Sequence, residues 1–458
     1  MEAAMDREET LRNLLEASEI PAERSRLAST GILFTLLHRL LPSLATDILS
    51  VLKILKNLCT GEAANQNTFL RCGGTGILAH VVGLPLATPL ILRAVMQLLG
   101  SVALGGEEHR SAVWSSFFPD RFLLLAKVRD PTVLDPLCRL LDTCCSSQGG
   151  RRRVKELCDE DRGLEIVIEI FTTALNEGYQ EPWLEWLIYK ICIDEPYFLR
   201  LFQAMSSVKD DGTSVKEDDT SADGGKSTLF TTMQAFFLSL LSKCIYERPG
   251  RNISSDFLLS ILKVLKQTFD SSYFNSRGTS SLPTGTPVTD VLGYSLIILR
   301  DACSESPIDT LLSAGLLDII LNFLRELEPP TFSKRSYFNT QKLCPYRGFR
   351  RDLVSVMSNC LRARKEVQDE IRKKIGLLLF FEHCVFDDDN PFLKEWRVLA
   401  VRNVLEGNEA NQHYAAEFYV LRSISASEIV DLELKVQLDR KSGHIKLVNI
   451  SEGEFPQL

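Results

Sequence analysis

Apolar residues recur along this chain at steps of three and four, the spacing that gathers them on one face of a helix. In "TDILSVLKILKNLC" (46–59), Ile48, Leu49, Leu52, Leu55 and Cys59 make one broad stripe. The stretches 90–104, 133–145, 232–246, 257–269 and 291–303 have the same character. Strict alternation is nearly absent. Its exception is the tail, where "LELKVQLD" and "HIKLVNI" (432–450) read as a short hairpin around Arg440, Lys441, Ser442 and Gly443.

The helices repeat. "LKNLCTGEAANQ" (55–66) is echoed by "VRNVLEGNEANQ" (401–412). In each, an asparagine near a helix end, Asn57 or Asn403, is followed by a capping glycine and then by Asn-Gln. A related unit ends at Asn359 and continues to Val367-Gln368. Marker positions fall at 57, 100, 142, 359 and 403, and the spacings of 43, 42 and 44 suit armadillo and HEAT repeats. The unit reads as a long helix, a tight glycine turn, a short helix and a medium helix. None buries its apolar face alone, so the predicted fold is all-α: an armadillo/HEAT-like α-solenoid ending in a short β-hairpin tail. Expected divisions are repeats over 1–206, an acidic linker at 207–226, helices with two loop insertions over 227–345, further repeats over 346–423 and a tail at 424–458.

Composition narrows the chemistry. The chain has 458 residues, is 45% hydrophobic and carries a formal charge of −8. That balance argues against broad binding to nucleic acid or anionic membrane. The polar N-terminus does not read as a signal peptide, and no uncharged apolar run reaches 18 residues, so neither secretion nor membrane insertion is expected and the cytoplasm is the expected location. The twelve scattered cysteines form no C-x-x-C pair and read as small buried hydrophobes. The six histidines have no metal-binding spacing; "DGGKST" (223–228) lacks the first glycine of a phosphate loop; His383 and Cys384 are neighbours that point apart on a helix. The expectation is a protein without cofactor, metal or catalytic site. The Arg151–Arg153 run is a candidate site for an acidic partner or a phosphate, with ordinary solvated charge as its default reading.

The stretch "YRGFRRDLVSVMSNCLRARKEVQDEIRKKIGLLLFFEHCVFDDDNPFLKEWRVLAVRNVLEGNEANQ" (346–412) resembles the C-terminal domain of the ataxin-10 family. It contains the Gly-aromatic/Arg-Arg-Asp opening, the Val-Gln-Asp-x-Ile-Arg element, the Asp-Asn-Pro-Phe…Glu-Trp box and the closing Asn-Gln. Phe349 stands where tyrosine is expected, and Cys360 where a small residue is common. The resemblance implies a non-catalytic adaptor with roles in cell survival, signalling and division. By its residues alone, the box reads as a helix start, with Asn390 as cap, Pro391 in the first turn and the acids 387–389 at the positive end of the dipole. Phe392 and Trp396 then read chiefly as core aromatics, with a partner contact as the alternative.

The candidate protein-binding residues are Asn57, Asn359, Asn403, Lys56, Arg402 and Trp396. An asparagine ladder invites comparison with armadillo-type transport receptors, whose asparagines hold a peptide backbone beside a tryptophan four residues earlier. Lys53, Ser355 and Leu399 occupy that position here, which speaks against a receptor for basic peptides. The alternative for the asparagines is a hydrogen bond to a neighbouring repeat. Lys56 and Arg402 should point outward as a basic strip. The expected partners are other proteins, with a homo-oligomer, a transport receptor or a purely architectural subunit as alternatives.

Overall fold

The computed structural model describes residues 2–40, 45–179, 181–207, 229–250, 253–269, 280–305, 308–327, 344–374, 376–383, 390, 392–422, 434–438 and 445–449. The linker expected at 207–226 falls almost wholly outside these residues, as do most of the two insertions, the acids 387–389, Pro391 and the hairpin turn. The chain forms two compact units, Met1–Val208 and Lys209–Leu458.

The first unit is a row of helix triplets. α1 (Glu2–Glu19) leads into α2 (Pro21–Ser29), α3 (Ile32–Arg39) and α4 (Ala45–Cys59). Then follow α5 (Ala63–Arg71), α6 (Gly74–Val82) and α7 (Pro89–Ala103), and α8 (Glu107–Phe117), α9 (Asp120–Ala126) and α10 (Pro131–Cys145). α11 (Gly150–Leu157), α12 (Leu164–Glu177), α13 (Pro182–Tyr189) and α14 (Phe198–Ala204) close it. The long helices α1, α4, α7 and α10 pack one against the next, and the shorter α13 packs on α10. Their apolar stripes are the core: Leu52, Leu55, Val95, Leu99, Leu137 and Leu141 are all buried. Each such side chain contributes about 1.5–3 kcal/mol, which no isolated triplet could collect.

The second unit repeats the scheme with α15 (Thr232–Tyr246), α16 (Ser255–Phe269), α17 (Pro287–Glu305), α18 (Asp309–Ser313), α19 (Leu316–Glu326) and α20 (Phe349–Leu361). α21 (Lys365–Lys373), α22 (Gly376–His383), α23 (Leu393–Leu405) and α24 (Glu409–Arg422) follow. Here α15, α17, α20 and α23 form the row. The tail is an antiparallel hairpin of β1 (Leu434–Leu438) and β2 (Ile445–Asn449), with Val436 opposite Leu447. Each unit is thus an all-α solenoid segment, and the second ends in the hairpin.

The recurring Asn-Gln pair is a helix-capping device. The last four carbonyls of a helix lack intrahelical donors. At the end of α4, Thr60 donates to the Lys56 and Asn57 carbonyls, the Asn65 amide to Leu58 at 2.6 Å and the Gln66 amide to Cys59 at 3.0 Å. At the end of α23 the same reach of seven residues recurs, Asn411 to Val404 at 2.9 Å and Gln412 to Leu405 at 2.9 Å. Gln368 does this for Leu361, and Arg110 for Ala103. The chain turns back sharply enough because Gly61 and Gly407 take left-handed backbone, φ +75° and +68°.

The same amides set the register between triplets. Gln66 also donates to the Ser101 carbonyl (2.9 Å) and Gln368 to the Asn403 carbonyl (2.7 Å), each 35 residues onward. By this measure Ser101 holds in its triplet the place that Asn403 holds in the last one, one residue on from the marker read at 100.

The helix start expected at Asn390 is corrected. Phe392 precedes α23 with φ +63°, and the Asn390 side chain instead accepts a hydrogen bond from the Arg351 backbone N–H at 3.1 Å. The box thus ties α23 to the start of α20. Phe392 is not a core aromatic: it is 68% exposed, and Trp396 is half-buried.

Candidate protein-binding surfaces

The outward face of the row can be followed by comparing equivalent positions. Four residues before the asparagine, Lys53 of α4 is exposed, Ser355 of α20 is 0% exposed and Leu399 of α23 is 45% exposed. Three different surfaces result.

On α4, α7 and α10 the face is an open groove of about 560 Å³. Lys56, Thr60, Arg93, Gln97, Thr132 and Arg139 are among its lining. These residues lie outward because the apolar stripe takes the opposite side of each helix. Arg93, Gln97 and Ser101 follow at steps of four, and Thr132, Asp135 and Arg139 at three and four. The one acid in the lining, Asp135, accepts the Tyr179 hydroxyl at 2.9 Å. Burial first, then Asp135, pushes that phenol well above its ordinary pKa, so it remains a donor. The Arg139 guanidinium lies 5.1 Å from the Trp183 ring centroid.

On α17 and α20 the chain covers its own face. Tyr346 is fully buried against Phe349 and donates to Asp352 at 2.8 Å. The Arg347 N–H joins this segment to the Ser280 carbonyl at 2.9 Å, and Leu282 lies where a Cβ on Gly293 of α17 would have to go. Asp352 also takes Arg351 at 2.9 Å, with Arg300 at 3.9 Å. Burial raises its carboxyl pKa, and Arg351, the Tyr346 hydroxyl and Arg300 offset part of that rise. Arg350 is buried against the His383 ring, which burial first, then the Arg350 charge, pushes down to about 3. The Arg-Arg-Asp signature is therefore largely internal: it holds α17, α20 and α22 together, with Arg350 and Asp352 buried and Arg351 part-exposed.

On α23 the face is apolar. Trp396 and Leu399 follow at i and i+3 and so share one side of α23, and exposed Phe392 stands just before the first turn of the helix. Arg402 and Glu406 flank this side, 3.8 Å apart.

The asparagines face their neighbours. Asn57 donates to the Ser18 hydroxyl at 3.1 Å, Asn359 to the Arg300 carbonyl at 2.9 Å and Asn403 to the Ser358 carbonyl at 3.0 Å and hydroxyl at 3.1 Å. Their amides are engaged in the stack, whereas Lys56 lines the groove and Arg402 is exposed. Of the Arg151–Arg153 run, Arg151 and Arg152 are solvated and pair at the surface with Glu195 and Glu156, while buried Arg153 meets Glu107, Ser111 and the Cys144 carbonyl. Burial raises the Glu107 carboxyl, yet hydrogen bonds from Ser147 and Arg153 and the Arg153 charge outweigh it and hold the pKa at about 2. Cys144 and Cys145 are buried, and burial pushes the Cys144 thiol up to about 12 and raises Cys145 as well. Among the described residues no group of three His, Cys, Asp or Glu is placed to hold a metal ion, and no helix is long and apolar enough to cross a membrane.

Arg93, Arg139 and Trp183 escaped the sequence reading, although Arg93 and Gln97 interrupt an otherwise apolar run four residues apart. The sequence weighs Phe392 towards the core, with a partner contact as the alternative, because an aromatic beside an apolar helix start resembles a buried one.

Comparison with known proteins bears on the internal signature most directly. Residues 349–448 match the family model described as the spinocerebellar ataxia type 10 protein domain. The chain is 24% identical over 431 residues to ataxin-10 of Bos taurus, covering 89% of this chain and 82% of that protein. It is 23% identical over 386 residues to ataxin-10 of Homo sapiens, covering 80% and 74%. To the ataxin-10 homolog of Dictyostelium discoideum it is 35% identical over 108 residues, covering 24% and 18%. Among solved structures it is similar to an engineered protein with TM-score 0.37 at 14% identity, covering 93% and 92%. The matched domain takes in the buried Arg-Arg-Asp network, the amide caps of α20 and α23 and the box that starts α23, and the similarity to the vertebrate proteins runs through both units: the chain matches the spinocerebellar ataxia type 10 protein domain over residues 349–448 and is similar to ataxin-10 along most of its length.

Proposed function

We propose that this chain is a non-catalytic scaffold that docks partner proteins on the Phe392–Trp396–Leu399 patch of α23. The observation that carries the reading is Phe392. A bulky residue at positive φ costs roughly 1–2 kcal/mol, and a ring 68% exposed recovers little of it by burial. Folding gives no reason for phenylalanine there; a partner that covers the ring does. Trp396 and Leu399 extend the patch, and Arg402 with Glu406 supplies a polar rim of the kind that surrounds interface cores. In this reading Asn57, Asn359 and Asn403 hold the helices in the register that presents these faces, and Lys56 belongs to the separate groove on α4. The family resemblance adds the cellular setting: a cytoplasmic adaptor in survival, signalling and division.

The test is co-purification with the full chain carrying Phe392→Gly and Leu399→Ser. Recovery of bound proteins should drop at least tenfold while the melting temperature holds or rises. The same set of proteins recovered at the same yield would sink the reading. A purely architectural subunit would instead sediment as a stable homo-oligomer with nothing else bound. A transport receptor for basic peptides is disfavoured by the cations of the groove, and a Lys-rich peptide should give no saturable polarisation change.

A further inference from the structure

We infer that the groove across α4, α7 and α10 is a docking site for an acidic, extended segment of a partner protein. This rests on the first unit alone and stands apart from the α23 stripe.

Charge is the first argument. Several cations elsewhere in this unit meet acids: Lys127 pairs with Glu165, Arg129 with Glu169, Arg151 with Glu195, Arg152 and Arg162 with Glu156, and Arg153 with Glu107. In the groove, Lys56 and Arg93 have no carboxylate within ion-pair distance among the described residues, and Lys53 is exposed one turn before Lys56. The groove's own acid, Asp135, is engaged by Tyr179. A chain of net charge −8 therefore keeps unpaired cations together on one concave strip. Such a strip attracts anionic segments and repels basic ones.

Shape is the second. Three neighbouring long helices, each about 8–10 Å from the next, give a strip of about 20 Å. An extended peptide covers that with roughly six residues at about 3.3 Å each. The lining also presents hydrogen-bonding groups at intervals, Thr60, Gln97, Ser101 and Thr132. Pro136, itself in the lining, has no N–H, so the Thr132 carbonyl has no i+4 backbone donor and can accept from a bound chain. Arg139, set against Trp183, offers a planar fork for a carboxylate at the far end. A nucleic acid would want a more extensive basic surface and free aromatic faces for stacking, so peptide is the better fit.

The experiment is fluorescence polarisation on the full chain with three labelled probes: a twelve-residue peptide of repeating Asp-Glu-Gly-Ser, its Lys counterpart and a twelve-nucleotide single-stranded RNA. Saturable binding of the acidic peptide is expected, weakened at least tenfold by Lys56→Glu with Arg93→Glu and by raising salt from about 50 to 300 mM. The Phe392→Gly/Leu399→Ser chain should bind the peptide as the unaltered chain does, which separates this site from the other. Arg93 is exposed and Lys56 is half-buried in the last turn of α4, where the helix dipole favours a cation, so the melt should fall slightly at most; if it falls further, Lys56→Gln with Arg93→Gln must still weaken binding at least threefold. No saturable binding, binding indifferent to these substitutions, or tighter binding of the RNA would overturn the inference. So would a tenfold gain in affinity on deleting residues 208–226, which would assign the groove to the chain's own acidic stretch.

Discussion

Residues 53–66 and 399–412 are built on one plan and present different surfaces. Inside, the two are superimposable in their bonding: Asn65 and Asn411 each donate to the carbonyl seven residues back, Gln66 and Gln412 do the same, and Gly61 and Gly407 make the turn. Outside, Lys53 stands opposite Leu399, Ser50 opposite Trp396 and Lys56 opposite Arg402. One copy builds a cationic groove wall, the other an apolar stripe. Positions that satisfy helix ends are fixed by the backbone's need for partners. Positions on the outer face carry no such duty and differ according to what each unit meets. α20 marks a third outcome, in which the equivalent face is closed by Tyr346 and its segment.

The sharpest way to break this contrast is at the closed face. Tyr346→Ala removes a fully buried ring together with the hydrogen bond to Asp352, and should lower the stability of the second unit by about 3–5 kcal/mol in urea unfolding. The first unit's transition should stay in place. A loss under about 1 kcal/mol would mean that the segment is laid on α20 without holding it.

The caps come next. Asn411 is buried, donates to Val404 and Gln368 and accepts Arg372 at 2.7 Å. Asn411→Ala strands two carbonyls and should cost up to about 3 kcal/mol, with Asn65→Ala near the lower end of about 1–3 kcal/mol because it strands one. Equal effects within error would remove the distinction between a cap and a node of the network.

Between pH 6.5 and 5, acid supplies a smaller perturbation centred on His383 in the second unit. His383 has its pKa held near 3 by burial and by Arg350, whereas the unfolded chain titrates near 6.5. In that window the unfolded state binds a proton that the folded state refuses, so stability rises with pH. Going from pH 6.5 to 5 should therefore cost about 2 kcal/mol, and His383→Asn should flatten the slope. A slope that survives the substitution would place the titrating group elsewhere.

The sequence announced the interior better than the exterior. The apolar period, the glycine turns and the Asn-Gln echo are each the trace of a backbone requirement that recurs in every triplet, so the all-α row could be read from them. The long-range function of the amides was legible only as a repeated pair, since nothing local tells that Gln66 reaches Ser101 or that Gln368 reaches Asn403. The box misled at Asn390 and Phe392: Asn-Pro before an apolar helix looks like a cap, and a left-handed phenylalanine leaves no mark in composition. The groove depended on three helices about forty residues apart, so Arg93 and Arg139 could be placed beside Lys56 only once the helices were stacked.

The most direct test of the division between fixed interior and free exterior is the urea unfolding curve of the full chain carrying Lys53→Leu together with Leu399→Lys. Lysine and leucine have similar helix propensities, and both positions face outward, so the midpoint should correspond to a change of no more than about 1 kcal/mol. A loss of about 3 kcal/mol or more would show that the outer faces are part of what holds the helices together, and would contradict the account.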